Sequence, residues 1–262
     1  MLRKLARQRI WTGHPSTTQL LNGTRSAWLE VTRKYFFRPE SKVFAFLGTA
    51  AHGNVERFVK EGEKAEERIT DDICSGQYDF YDDQSQTLYD YKTWGSYKVA
   101  KALGMTVKFV PKKDRFGKII YKWNTKEKRN KPEWDRVYVP GNIAEKVVGM
   151  LDTVVQLSDY RDKLQSVLKD GYKVKRIAVQ IIMKDAGTQV ARDRGITGNT
   201  FIIPLNGVSS HWIKKYLGRK RELLLQAIEK DYSPKCRRSD IWGGLKCKKY
   251  CDVSKICEGI GD

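Results

Sequence analysis

Apolar positions recur at helical spacing in STTQLLNGTRSAWLEVTRKYFF (residues 16–37), behind hydroxyl residues suited to cap a helix. A second helical pattern, VFAFLGTAAHGNVERFVKEGEKAEE, starts at Val43 and sets His52 and Glu56 four apart on one face. Three short runs of strand character follow: RITDDIC, GQYDFYD and QTLYDYKTW. The polar DDQSQ between the last two predicts a hairpin turn. GSYKVAKALG predicts a short helix closed by Gly104, and a long helix is expected from Asn142 to near Gly171. YKVKRIAVQIIMKD and NTFIIPL read as strands, and VSSHWIKKYLGRKRELLLQAIEK reads as a helix with a very basic face. Helices, a strand cluster, a long helix, two strands and a helix together predict an α/β fold with a mixed sheet.

Charge sharpens this picture. Fifty Lys and Arg stand against 31 Asp and Glu, a formal charge of +19 in 262 residues. Solubility alone asks for a magnitude of about 2–8 in a small domain, so the excess points to a polyanionic partner, above all nucleic acid. It is concentrated in KFVPKKDRFGKIIYKWNTKEKRNKPEWDR (108–136), which holds eleven basic and four acidic residues. Phe109, Phe116, Tyr121, Trp123 and Trp134 interleave with them, rings on which bases can stack between cations for phosphates. This segment predicts one or two hairpins, with Gly117 and Pro132 near turns. No apolar run approaches the roughly 20 residues that span a bilayer. The basic opening MLRKLARQRIWTGH lacks a secretory pattern, so an intracellular protein is expected.

The chemistry centres on LYDYKTW (88–94). Strand side chains alternate, so Asp90 and Lys92 share one face while Tyr91 points to the other. A buried acid and lysine side by side are costly unless paired or put to use. The preceding run offers Asp79, three residues after Gly76, and the hairpin can bring two carboxylates together. Two close carboxylates repel unless a cation sits between them, and a hard cation such as Mg²⁺ or Mn²⁺ takes oxygen ligands.

GTAAH, GQYD, YDYK and QLSDY, in that order, resemble the RecB-type branch of the PD-(D/E)XK nucleases, over about residues 16–160. The resemblance implies a restriction-endonuclease-like core, a central mixed sheet flanked by helices. It also implies that His52, Asp79 and Asp90 bind the metal with the Tyr91 carbonyl. Asp79, Asp90 and Lys92 would be catalytic, with Lys92 orienting the attacking water. Gln156 and Tyr160, four apart on the long helix, would hold DNA or the catalytic lysine, and Glu56 would support His52.

Cys236, Cys247, Cys251 and Cys257 crowd one short basic tail. In an intracellular protein such a cluster favours a metal over disulfides, and both zinc and a [4Fe–4S] cluster accept four thiolates. The resemblance favours iron–sulfur: the AddB subunit and the CRISPR-associated adaptation nucleases end in closely spaced cysteines that staple the tail to the core. This chain departs from that pattern in its middle spacing of three residues, and in carrying Gly23 where the family has a remote cysteine. Cys236 then stands as the fourth ligand. Cys74 is expected to be a buried free thiol.

The expected organisation is a nuclease domain over 1–232, with the basic aromatic insertion at about 105–140, and a cysteine tail over 233–262. The expected activity is metal-dependent hydrolysis of DNA, exonucleolytic on single strands or ends, in recombination, repair or CRISPR-type processing. A helicase or other DNA-processing partner fits the same reading, since no P-loop is present in the chain, and the toroidal members of the family it resembles imply a homo-oligomer. The alternative is a non-catalytic nucleic-acid-binding subunit of a larger complex.

Overall fold

The computed structural model describes residues 10–36, 63–141, 143–168 and 172–259, with isolated positions at 8, 43, 46, 48–50 and 53. The fold is α/β. A five-stranded mixed sheet in the order β1-β4-β5-β10-β11, mostly antiparallel with one parallel pair, is flanked by helices. Its strands are β1 (Glu63–Ala65), β4 (Phe80–Asp82), β5 (Thr87–Trp94), β10 (Arg176–Met183) and β11 (Thr200–Leu205). Among the described residues no helix is long and apolar enough to cross a membrane.

The first helical pattern divides. Ser16 caps α1 (Thr17–Leu21) through a reciprocal box with Gln19, and α2 (Thr24–Thr32) restarts after an extended Asn22–Gly23. Apolar periodicity runs across that break, so it could not be read from spacing. The end of the second helical pattern is also different: Glu63–Ala65 is an edge strand paired antiparallel with β4. GQYDFYD divides as well, because β3 (Ser75–Gln77) pairs with β2 (Arg68–Thr70), whereas β4 pairs with β5. Asp79 lies at the bend between the two sheets. The polar turn predicted between β4 and β5 is present, with Gln86 at φ 51°.

Cα packing divides the chain into two compact units. The first comprises residues 1–91, 152–179 and 204–262. One cluster of its core gathers Leu20, Trp28, Leu29, Cys74, Val155, Ile213, Leu217, Leu224 and Val253. Apart from Cys74, which lies in the turn just before Ser75, these come from α1, α2, the long helix α4 (Ile143–Val167), α6 (Ser210–Glu229) and the tail. A second cluster packs Tyr78, Tyr81, Leu88 and Ile177 against Leu157, Tyr160 and Leu164 of α4. The tail adds a 3₁₀ turn (Trp242–Gly244), α7 (Leu245–Lys249) and α8 (Ser254–Gly259).

The second unit comprises residues 92–151 and 180–203. Gly104, at φ +70°, follows α3 (Ser96–Ala102) as expected. A five-residue helix, α5 (Gln189–Asp193), lies between β10 and β11 and is too short to show periodicity. The basic segment forms two hairpins on a common stem. The stem pairs β6 (Met105–Pro111) with β9 (Trp134–Pro140). One arm turns at Gly117, φ +81°, where Asp114 Oδ1 accepts from the N–H groups of Phe116 and Lys118. The other pairs β7 (Tyr121–Asn124) with β8 (Arg129–Pro132), so Pro132 ends a strand rather than marking a turn.

Candidate active site and cysteine cluster

Strand β5 buries Leu88, Asp90 and Trp94 on one alternating face, and Lys92 follows Asp90 by two residues on that face. Asp90 is 1% exposed. The β4–β5 register begins with Phe80 opposite Tyr89, and Asp79 lies at the bend just before that pair while Asp90 follows it on β5. Both carboxylates act on the same Tyr160 phenol, and two like charges held in one neighbourhood suit a cation. Asp79 Oδ2 accepts from the Tyr91 N–H at 2.6 Å, which fixes its carboxylate to the strand that carries D-x-K.

The long helix closes over the same region. A Cβ on Gly76 would fall 2.6 Å from Tyr160 Cε1 and 3.3 Å from Lys163 Cδ, so only glycine lets β3 approach the helix this closely. Gln156 Nε2 donates to the Tyr160 hydroxyl oxygen at 3.0 Å. Burial pushes the Tyr160 phenol up; the Gln156 bond works against this, while the Asp90 and Asp79 carboxylates reinforce it. Tyr160 is therefore a neutral phenol within the field of both acids. Asp79, Asp90, Tyr91, Gln156 and Tyr160 thus come together. His52 and Glu56 lie outside the described residues.

Beneath this group lies a buried polar network that the motif reading missed. Lys163, 3% exposed, reaches Asp159 Oδ1 at 2.5 Å and Asp71 Oδ2 at 2.7 Å. Burial opposes its charge, but the facing Asp159 leads the groups that outweigh burial and raise its pKa. Thr17 Oγ1 donates to Asp159 Oδ2 at 2.6 Å, and the Ser75 N–H donates to the Pro15 carbonyl at 2.9 Å. Together these contacts pin the start of α1, strand β3 and α4 to one another. The signal in the sequence was an acid and a lysine four apart on an otherwise apolar helix face.

The four tail cysteines line a single cavity of about 410 Å³, shared with Gly23, Ser26 and Leu29 of the α2 region. A Cβ on Gly23 would lie 2.6 Å from Cys236 Sγ, so the Cys236 thiol fills the space of a side chain at position 23. Arg25, 1% exposed, donates from Nε to Cys257 Sγ at 3.2 Å and from Nη1 to the Ser233 carbonyl at 2.7 Å. Ser26 Oγ lies 3.7 Å from Cys251 Sγ. Burial raises the Cys236 and Cys251 thiols above their ordinary range, and neighbouring tail thiols add to the shift. Cys74 is fully buried and free, as expected.

Both donor sets suit the groups expected of them. Carboxylate and carbonyl oxygens match a hard divalent cation, and four thiols around one cavity match zinc or a [4Fe–4S] cluster. Among the described residues, no three His, Cys, Asp or Glu side chains already stand at ligating separation. No protein-family model, curated protein or solved structure matches the chain at significance.

Proposed function

We propose that the chain is a Mg²⁺- or Mn²⁺-dependent deoxyribonuclease of the RecB type. It would hydrolyse phosphodiester bonds in single-stranded DNA or at DNA ends. The observation that carries this reading is the meeting of Gly76, Asp79, Asp90 and Tyr160. G-x-x-D, D-x-K and Q-x-x-x-Y segments scattered by chance have no physical reason to converge, with the glycine of one receiving the ring of another.

Asp79 and Asp90, with His52 and the Tyr91 carbonyl, would hold the cation. When bound, the cation lowers the pKa of a coordinated water and offsets charge developing on the phosphate. Asp79 is held in orientation by the Tyr91 N–H. Lys92 orients the attacking water and faces the phosphate charge. Tyr160, kept neutral, and Gln156 position the strand. The thiolates of Cys236, Cys247, Cys251 and Cys257 would hold a structural [4Fe–4S] cluster, or zinc in its place, and so would fasten the tail to α2. A helicase or another DNA-processing protein would supply the motor.

The test is hydrolysis of labelled single- and double-stranded DNA with Mn²⁺ or Mg²⁺ by wild type, Asp90→Ala and Lys92→Ala. Cleavage by wild type alone supports the reading. Wild type that cuts no better than the two variants overturns it.

A further inference from the structure

The two-hairpin insertion exposes aromatic surface that a folding role does not explain. Tyr121 is 59% exposed, Trp123 57%, Phe109 65% and Trp134 55%. A two-stranded hairpin has no core of its own to bury such rings, and clustered exposed aromatics mark a binding surface. The register sorts the tip into two faces. Tyr121 and Trp123 share one face with Asn130 and Pro132, whereas Lys122, Lys131, Asn124 and Arg129 share the other. On the stem, Phe109 lies directly across from Arg136, and Trp134 is two residues before Arg136 on that same face.

We propose that this insertion is a single-strand-binding arm, and that an unpaired DNA base inserts between Tyr121 and Trp123. Alternate residues of a strand are about 6.6–6.8 Å apart, twice the roughly 3.4 Å separation of stacked bases. Two rings at that pitch leave room for one base sandwiched between them. A base in a duplex is already stacked on both faces and cannot enter, so the arm selects unpaired strands. The ribbon is about as thick as the Debye length at physiological salt, roughly 8 Å, so cations on its far face still act on phosphates at its edge. Long lysine stems carry their charge around that edge. Much of the local acid is already committed: Glu127 pairs with Arg129 and Lys131, Glu133 with Lys112, and Asp114 accepts from backbone N–H groups. The surplus of basic residues is what a phosphate backbone complements.

The choice of DNA as ligand rests on the nuclease reading; the stacking geometry does not. The test is therefore binding without hydrolysis: fluorescence anisotropy of a labelled oligothymidylate, in chelator, with wild type, Trp123→Ala, Tyr121→Ala, Trp123→Phe and Lys122→Ala. Each alanine variant at a ring should weaken single-strand binding about tenfold, and Trp123→Phe should recover most of the loss. Lys122→Ala should instead lower the slope of log affinity against log salt by about one. Duplex binding should change little in the ring variants. Because these rings are exposed, circular dichroism of each variant should match wild type. Unchanged single-strand binding in Trp123→Ala, or equal losses for duplex and single strand, overturns the proposal. So does polyglutamate competing as well as DNA, or a uridylate strand binding more tightly than the thymidylate. Failure here leaves the cleavage assay standing, and failure of cleavage leaves this binding result standing.

Discussion

The ring of Tyr160 occupies the volume that any side chain on Gly76 would need: an added Cβ would meet Cε1 and Cδ1 at 2.6 and 2.7 Å. Gly76→Ala must therefore displace either the helix or the strand, and overpacking of this kind costs about 1–3 kcal/mol. Urea unfolding should show that loss. Gly76→Ala combined with Tyr160→Leu should lose less than the sum of the two single changes. Strict additivity would mean that the ring and the glycine do not meet.

Lys163 is the cation on which two carboxylates converge, and it is itself almost fully buried. Lys163→Met leaves Asp159 charged in a buried site and should cost about 3–5 kcal/mol. Asp159→Asn in the same chain should restore part of that loss, because it removes the stranded charge. Denaturant midpoints of the single and double variants read this directly.

The Cys74 thiol is pushed up to about 11, chiefly by burial and then by the Asp159 carboxylate, against Lys163 and Thr17. A raised value favours the folded state below the ordinary thiol range, and that contribution is lost as pH rises through about 11. At mildly alkaline pH, alkylation of metal-stripped native protein should label the four tail thiols and spare Cys74. Mass spectrometry after denaturation should then add the fifth label.

Asp185 accepts from the Ser96 N–H at 2.7 Å and the Ser96 hydroxyl at 2.5 Å, with Arg194 3.8 Å away. Burial raises its pKa, but the Ser96 bonds and Arg194 outweigh burial and hold it below the usual carboxylate range. Its contribution is thus present above about pH 4 and lost as pH falls through the folded value. Melting temperatures of wild type and Asp185→Asn should differ at neutral pH and converge in acid.

The interlock of Gly23 with Cys236 makes a sharper claim on the tail. Cys236→Ala should lose most of the bound metal, and adding Gly23→Cys should restore it, because removal of the thiol at 236 leaves its space to one at 23. Metal and sulfide content per chain, with absorbance near 400 nm, decide this. Undiminished metal in Cys236→Ala would remove Cys236 from the ligand set.

Much of this was legible because it is local. The alternation of β5 put Asp90 and Lys92 on one face, and the polar turn announced the β4–β5 hairpin. The four-residue spacing of Gln156 and Tyr160 gave their shared helix face, and they do bond. What was not legible depends on partners distant in the chain. Periodicity continues unbroken through the extended Asn22–Gly23, and the close approach of Gly23 to Cys236 there depends on a residue near the far end of the chain. GQYDFYD reads as one strand because a change of pairing partner between Gln77 and Phe80 leaves no mark on the alternation. The pair Asp159 and Lys163 was visible as spacing, but its burial was set by Asp71 and Thr17 from elsewhere.

The first unit is assembled from three separate stretches of chain, and bonds such as Thr17 to Asp159 and Arg25 to Cys257 tie its helices and tail together across them. Closing such long loops is slow and yields little until the last segment arrives. A polypeptide still emerging from the ribosome, or one truncated before its final helices, cannot complete this scaffold. The fold thereby ties completion of this scaffold to finished synthesis, and translation products that stop short carry its acids without the architecture that surrounds them.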